Sequence, residues 1–138
     1  MVSYPARLTR SRSGYRVSFP DLPEAVATGA TAERALARAT DALLGEMGRC
    51  FKARRKVPRP SAPASRDVPV MLPASVAVKL LLLNELVDQQ LRNVELARRM
   101  RTTSQEVGRL TNLRHRTKID TLVHALQVLG RRLELALA

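Results

Sequence analysis

The feature that most constrains this chain lies between Asn93 and Lys118. Apolar residues recur there at helical spacing in two short blocks, about 94–100 and about 104–111, joined only by residues 101–103. Helices that short cannot hold themselves together and must bury their apolar faces against each other. Leu96, Ala97 and Met100 are expected to face inward, with Ala97 small because the second helix crosses close by. Thr103 and Glu106 have capping-box spacing, which starts the second helix abruptly. Val107 and Leu110 bury that helix, leaving Ser104, Gln105, Gly108 and Arg109 on its outward face. Position 101, where such a turn usually has Gly, holds Arg.

A polar outward helix after a tight turn suits the major groove of DNA. Gln pairs with adenine and Arg with guanine there, each bidentate contact giving roughly 1–3 kcal/mol of discrimination. Arg98, Arg99, Arg101, Arg114, Arg116 and Lys118 fall at the rims, where phosphates lie. Asn93 is read as the cap of the first helix, offering its N-terminus to a phosphate. The bland alternative is a solvated arginine-rich face on a helical bundle. The joint placement of small, capping and buried residues favours DNA. The expected DNA-binding set is Asn93, Arg99, Thr103, Ser104, Gln105, Arg109, Arg114, Arg116 and Lys118.

The chain of 138 residues carries a net charge of +12, which favours an anionic partner. That length holds one ordinary domain or two small ones of roughly 50–80 residues. Aromatic residues make up only 3% and Trp is absent, so the cores must be built from Leu, Val and Ala. Cys50 is the single cysteine, which leaves neither a disulfide framework nor a Cys-rich zinc site. The N-terminus has no signal-like apolar region, and the longest apolar run, Leu80–Leu83, is far short of the roughly 20 residues that span a bilayer. These features predict a soluble, cytoplasmic, bacterial protein without a membrane partner.

Ahead of the helical block the pattern is different. Val2, Tyr4, Ala6 and Leu8 alternate with Ser3, Pro5, Arg7 and Thr9, and the alternation resumes at Tyr15, Val17 and Phe19 after a turn containing Gly14. This predicts a β-hairpin, with Pro5 placing the first strand at an edge or giving it an irregular start. Residues 20–30 read as a loop ending at the helix cap Thr31, before an amphipathic helix over about 31–49. Residues 52–66 are a linker or an ordered loop. Asp67–Leu72 restores alternation as a third strand, with Pro69 again marking an edge. Helices then follow over about 74–90, 94–100, 104–111 and 119–129, the last closed by Gly130. Leu133, Leu135 and Leu137 alternate as a short terminal strand that would pair with another element or a second subunit. The predicted fold class is α+β, with an α/β domain over 1–72 and an all-α helix-turn-helix domain over 73–138.

Both halves together resemble the HicB antitoxins of HicA–HicB toxin–antitoxin systems. The first half matches in Tyr4-Pro5-Ala6, Gly14 to Pro23, Thr28-Gly29 and Thr31 to Ala35. The second half resembles the helix-turn-helix branch in Glu95 to Arg99, Gln105-Glu106-Val107, Thr117 to Thr121 and Leu129-Gly130. The resemblance implies an N-terminal partial RNase H-like domain without nuclease function, which binds the RNA-cleaving toxin HicA and covers its active site. It implies a Cro/repressor-like C-terminal domain that binds the promoter as part of a dimer or tetramer. It draws the toxin-facing residues from the Phe19–Gly29 segment and its neighbours, giving Tyr15, Phe19, Pro20, Asp21, Leu22, Pro23 and Glu24.

Catalysis is not expected. An RNase H-type site needs carboxylates converging from strands onto Mg²⁺, and neither strand of the hairpin carries one. Glu33 and Asp41 read as helix-surface charges, and His115 and His124 stand without a Cys or carboxylate cluster at ligand spacing. No catalytic, cofactor or metal residues are expected. Residues 1–60 hold 12 basic and 5 acidic side chains, net +7, and HicA-like toxins are typically basic. Toxin binding is therefore expected away from the charges in the hairpin turn and 52–59, or to rest on shape. The competing reading is an orphan helix-turn-helix regulator whose N-terminal domain senses a ligand or oligomerises.

Overall fold

The computed structural model describes residues 2–138, so the first residue of the predicted N-terminal domain lies outside it. The chain divides into two compact units, Met1–Ala74 and Ser75–Ala138.

The first unit runs β1 (Ser3–Ser11), β2 (Gly14–Ser18), β3 (Val26–Gly29), α1 (Ala32–Lys52) and β4 (Val68–Met71). The four strands form one sheet in the order β3-β2-β1-β4, and all neighbours are antiparallel. Alternation turns Tyr4, Ala6, Val17, Ala27 and Val70 to the buried side, and α1 packs on β2 and β3. Ala35, Ala39, Leu43, Met47 and Cys50 supply its inward stripe. Thr31 caps α1 as expected, its side chain accepting from the Arg34 N–H at 3.2 Å. Each fully buried Leu, Met or Phe here contributes roughly 1.5–3 kcal/mol of transfer free energy.

Three expectations are corrected in this unit. The stretch 20–30 is not all loop, because Val26–Gly29 pairs with Ser18–Tyr15 as β3. Its small side chains carry little periodic signal, and the Pro-rich turn before it dominates the reading. The strand expected third is therefore the fourth. Pro5 does not put β1 as a whole at an edge, because β1 lies between β2 and β4, but at Pro5 itself the strand starts with β4 alone beside it. Pro5 faces Pro69 across the β1–β4 pair. Neither can donate, so theirs must be a pair at which antiparallel strands exchange no hydrogen bond. Pairing with β2 begins only at Arg7, so the missing Pro5 N–H costs no ladder bond.

The segment after α1 is an ordered loop rather than a free linker. Val57 is buried, the Tyr4 hydroxyl donates to the Pro58 carbonyl at 2.6 Å, and the Ser61 N–H donates to Asp21 Oδ2 at 3.0 Å.

The second unit is helical: α2 (Ala74–Asp88), α3 (Asn93–Met100), α4 (Ser104–Leu110) and α5 (Ile119–Val128). α3 packs on α4 and on α5. Leu96, Val107 and Leu122 are fully buried, whereas Met100 is only half-buried. Gly130 ends α5 at φ 79°. The Arg131 N–H returns to the Leu126 carbonyl at 2.9 Å, the bond that closes a helix through a left-handed residue. The terminal strand predicted at 133–137 is absent: residues 131–138 take no regular structure, with Leu135 and Leu137 exposed. A strand with no neighbour leaves its own N–H and C=O groups unpaired.

Candidate DNA and partner interfaces

The geometry of residues 93–118 follows from their caps. At the end of α3 the Arg101 N–H reaches the Arg98 carbonyl at 3.2 Å and the Thr102 N–H reaches Ala97 at 3.0 Å. This closure requires a left-handed residue, and Arg101 supplies it at φ 55°. Two residues later the Thr103 side chain accepts from the Glu106 N–H at 3.1 Å and restarts the chain as α4. The Glu106 carboxylate turns to the Arg109 guanidinium instead of back to the cap.

With Val107 and Leu110 inward, Ser104, Gln105 and Arg109 are all exposed on one side of α4. Arg99, Arg114, Arg116 and Lys118 are exposed in the same unit. Asn93 sits differently from its expectation. It is the first residue of α3 rather than its cap, which is Arg92. Its half-buried side chain donates to Thr111 Oγ1 at 3.2 Å, and its Oδ1 is buried without a partner. Asn93 thus ties the start of α3 to the end of α4.

Local carboxylates hold some of these cations. Glu95 accepts from Arg98 at 2.5 Å and from Arg99 at 3.3 Å. The Arg98 hydrogen bond, with Arg99 beside it, keeps that carboxyl below its ordinary value and pushes the Arg98 guanidinium up.

Sequence reasoning passed over Lys79. It lies on α2 between Val78 and the run Leu80–Leu83 and is 1% exposed, yet its ammonium reaches three backbone carbonyls, from Arg109 at the end of α4 to Asn112 and His115 in the loop after it. A lone cation inside an apolar helical block was the available signal.

The second surface is the segment from Tyr15 to Glu24. Phe19 and Leu22 are buried at 1% and 3% exposure, so their side chains shape the segment from beneath. The Leu22 N–H bonds to the Phe19 carbonyl and the Ala25 N–H to Leu22, folding two consecutive turns. Pro20, Pro23 and Glu24 stay exposed, while Tyr15 and Asp21 are half-buried. One pattern was missed from sequence: residues 17–33 hold Asp21, Glu24 and Glu33 and no Lys or Arg. In a chain of net charge +12 this is a long cation-free window, and it covers the turns, β3 and the start of α1.

A family model described as HicB_like antitoxin of bacterial toxin-antitoxin system matches residues 3–81. The chain belongs to the HicB antitoxin family. Antitoxin HicB 2 of Photorhabdus laumondii is 46% identical over 132 residues, covering 96% of this chain and 94% of that protein. Antitoxin HicB of Escherichia coli K12 is 42% identical over 135 residues, covering 97% and 98%. Antitoxin HicB of Pseudomonas fluorescens Pf0-1 is 34% identical over 137 residues, covering 99% and 94%. The family model spans the first unit and the start of α2, while the relatives align through the second unit as well. Membership makes this chain the antitoxin component of a toxin–antitoxin pair. Among the described residues, no helix is long and apolar enough to cross a membrane.

Proposed function

We propose that this HicB-family chain neutralises a HicA-like, RNA-cleaving toxin through the first unit and represses its own promoter through the second. In this scheme the first unit is a partial RNase H-like domain acting by coverage rather than catalysis, and the second is a Cro/repressor-like domain, in the cytoplasm and without a cofactor. The observation that carries the DNA half is the capped, exposed face of α4, where Ser104, Gln105 and Arg109 stand clear of the core between rims of arginine. Arg114, Arg116 and Lys118 in the following loop, with Arg99, meet phosphates; Thr103 sets the angle of α4, and Asn93 holds α3 to it.

The toxin half rests on the cation-free window. A basic partner is repelled by most of this chain and least by residues 17–25, where Pro20, Asp21, Pro23 and Glu24 form the rim, since Arg16 and Arg38 border Thr28 on β3. Tyr15 joins this surface from the other end of β2, where it pairs with Arg10 and Gly29. Phe19 and Leu22 act by holding the turns in shape. The exposed Leu135 and Leu137 support a dimer or tetramer in which the tail finds its partner strand in a second copy.

Coexpression with the neighbouring gene, followed by co-purification and a gel shift on the chain's own upstream DNA, tests both halves. Arg109→Ala should lose roughly 1–3 kcal/mol of operator discrimination, and Arg99→Ala should weaken all duplexes alike. Unchanged operator preference in Arg109→Ala would remove α4 as the reading helix. An unchanged mass by light scattering after deletion of 132–138 would remove the tail as the oligomer contact.

A further inference from the structure

Two charged residues are buried among the described residues: Glu46, which pairs with Arg49, and Lys79, which has no carboxylate partner and which neither proposed activity uses. Its side chain is 1% exposed, and its Nζ donates to the carbonyls of Arg109 at 3.2 Å, Asn112 at 2.8 Å and His115 at 2.5 Å. An ammonium has three donors and no acceptor, so three carbonyls satisfy it completely. The acceptors recur every third residue, from the last turn of α4 through the loop that follows. Backbone bonds between Asn112 N–H and Arg109 at 3.3 Å and between His115 N–H and Asn112 at 3.1 Å continue the helix as a chain of turns with the same spacing. The Arg114 N–H is held by Asn112 Oδ1 at 3.0 Å, and Leu113 is buried beneath the loop.

Burying a cation is costly, and desolvation alone pushes the Lys79 ammonium below its ordinary value. Its donors go to carbonyl dipoles rather than to a carboxylate. A helix ends with unpaired carbonyls and a partial negative charge, and a cation placed there is favourable. A methionine or leucine would fill the same volume in α2 without this cost, so packing does not explain a lysine here.

We propose that Lys79 is the positioning residue for the basic loop, fixing α4's C-terminal end and the backbone of residues 109–115 so that Arg114, Arg116 and Lys118 meet DNA phosphates together. This rests on the proposed DNA binding of the second unit. Lys79 touches no DNA in this scheme. It fixes which carbonyls point inward, and thereby directs the intervening side chains outward, where Arg114 and Arg116 are exposed.

The salt dependence of DNA binding separates positioning from mere stability. Each phosphate contact contributes a slope of about 0.9 in log K against log salt. In the full-length protein, Lys79→Met should bind the chain's own upstream duplex at least tenfold more weakly. Its slope should fall by about 2 or more, although the changed residue makes no contact. Loss of stability alone lowers the active fraction and leaves the slope at the wild-type value. A folded Lys79→Met with wild-type affinity and slope overturns the proposal. Should that variant not fold, the wild type decides: the Lys79 ammonium protons, observed by nitrogen-15 NMR at neutral pH, should be protected from solvent exchange in both free and DNA-bound protein. Exchange as fast as that of surface lysines overturns it. If the wild type fails to prefer its upstream duplex, the DNA reading falls, while the NMR measurement still judges the loop anchor.

Discussion

The candidate surface on α4 and the one on residues 19–25 come from the same chain but hold their shape differently. On α4 a helix divides its residues by period: Val107 and Leu110 go inward, and Ser104, Gln105 and Arg109 go outward. On residues 19–25 consecutive turns divide them irregularly, burying Phe19, Leu22 and Ala25 and leaving Pro20, Pro23 and Glu24 outside. The difference is one of support. A helix end is set by local caps such as Thr103, whereas the turns are set by what lies beneath them and by a distant bond, Ser61 N–H to Asp21.

The largest expected effect tests that dependence on the interior. Phe19→Ala should cost about 3–5 kcal/mol, as a buried aromatic truncated to a cavity does. The loss should appear in the first unit's unfolding and in toxin neutralisation. Binding of the upstream duplex by the second unit should persist in the same preparation. Urea titration followed by gel shift and toxin rescue checks it, and a parallel loss of DNA binding would mean that the two units do not fold independently.

The same contrast explains what the sequence disclosed. Helical spacing named α1 to α5 within a few residues, and the caps Thr31 and Thr103 were readable because each side chain acts on a backbone three residues away. β3 was hidden because Val26-Ala27-Thr28-Gly29 becomes a strand only through its pairing with β2. The interior position of β1 was hidden because it depends on β4, some sixty residues further along the chain. Phe19 and Leu22 were placed with the partner-facing residues, since a loop pattern does not say which side is covered. Lys79 was invisible because its acceptors are carbonyls, which every residue carries. Arg101 alone departs from the usual letter of its motif, and the structure keeps the left-handed geometry with it all the same.

A smaller effect concerns the ordered loop after α1, a strap whose Ser61 N–H holds Asp21 in the turns. The Tyr4 hydroxyl is bonded to Pro58, and burial, with Asp21 and Cys50 nearby, pushes its pKa from 10.0 up to about 12. The folded phenol holds its proton more tightly than the unfolded one. The contact is therefore intact below the unfolded value of 10.0 and is lost as pH rises towards about 12. Tyr4→Phe should cost about 0.5–1.5 kcal/mol at neutral pH and should remove this part of the alkaline decline. Denaturant melts of both proteins across that pH range decide it. Equal alkaline slopes would show that the phenol does not support the strap.

The smallest effect, on α3, sharpens the comparison from the other side. A left-handed non-Gly residue costs roughly 1–2 kcal/mol, and glycine returns part of this as unfolded-state entropy, roughly 0.5–1 kcal/mol. Arg101→Gly should therefore stabilise the second unit by up to about 1 kcal/mol. It also deletes an exposed cation just before α4. If that cation touches a phosphate, the salt slope should fall by about 0.9 in the same variant that melts higher. Opposite signs in stability and affinity would give a reason for arginine where the backbone favours glycine: local strain tolerated for a DNA contact. A gain in stability with no change in slope would leave Arg101 without a role at the interface, and a loss of stability would mean that its side chain holds α3 in a way the cap geometry does not explain.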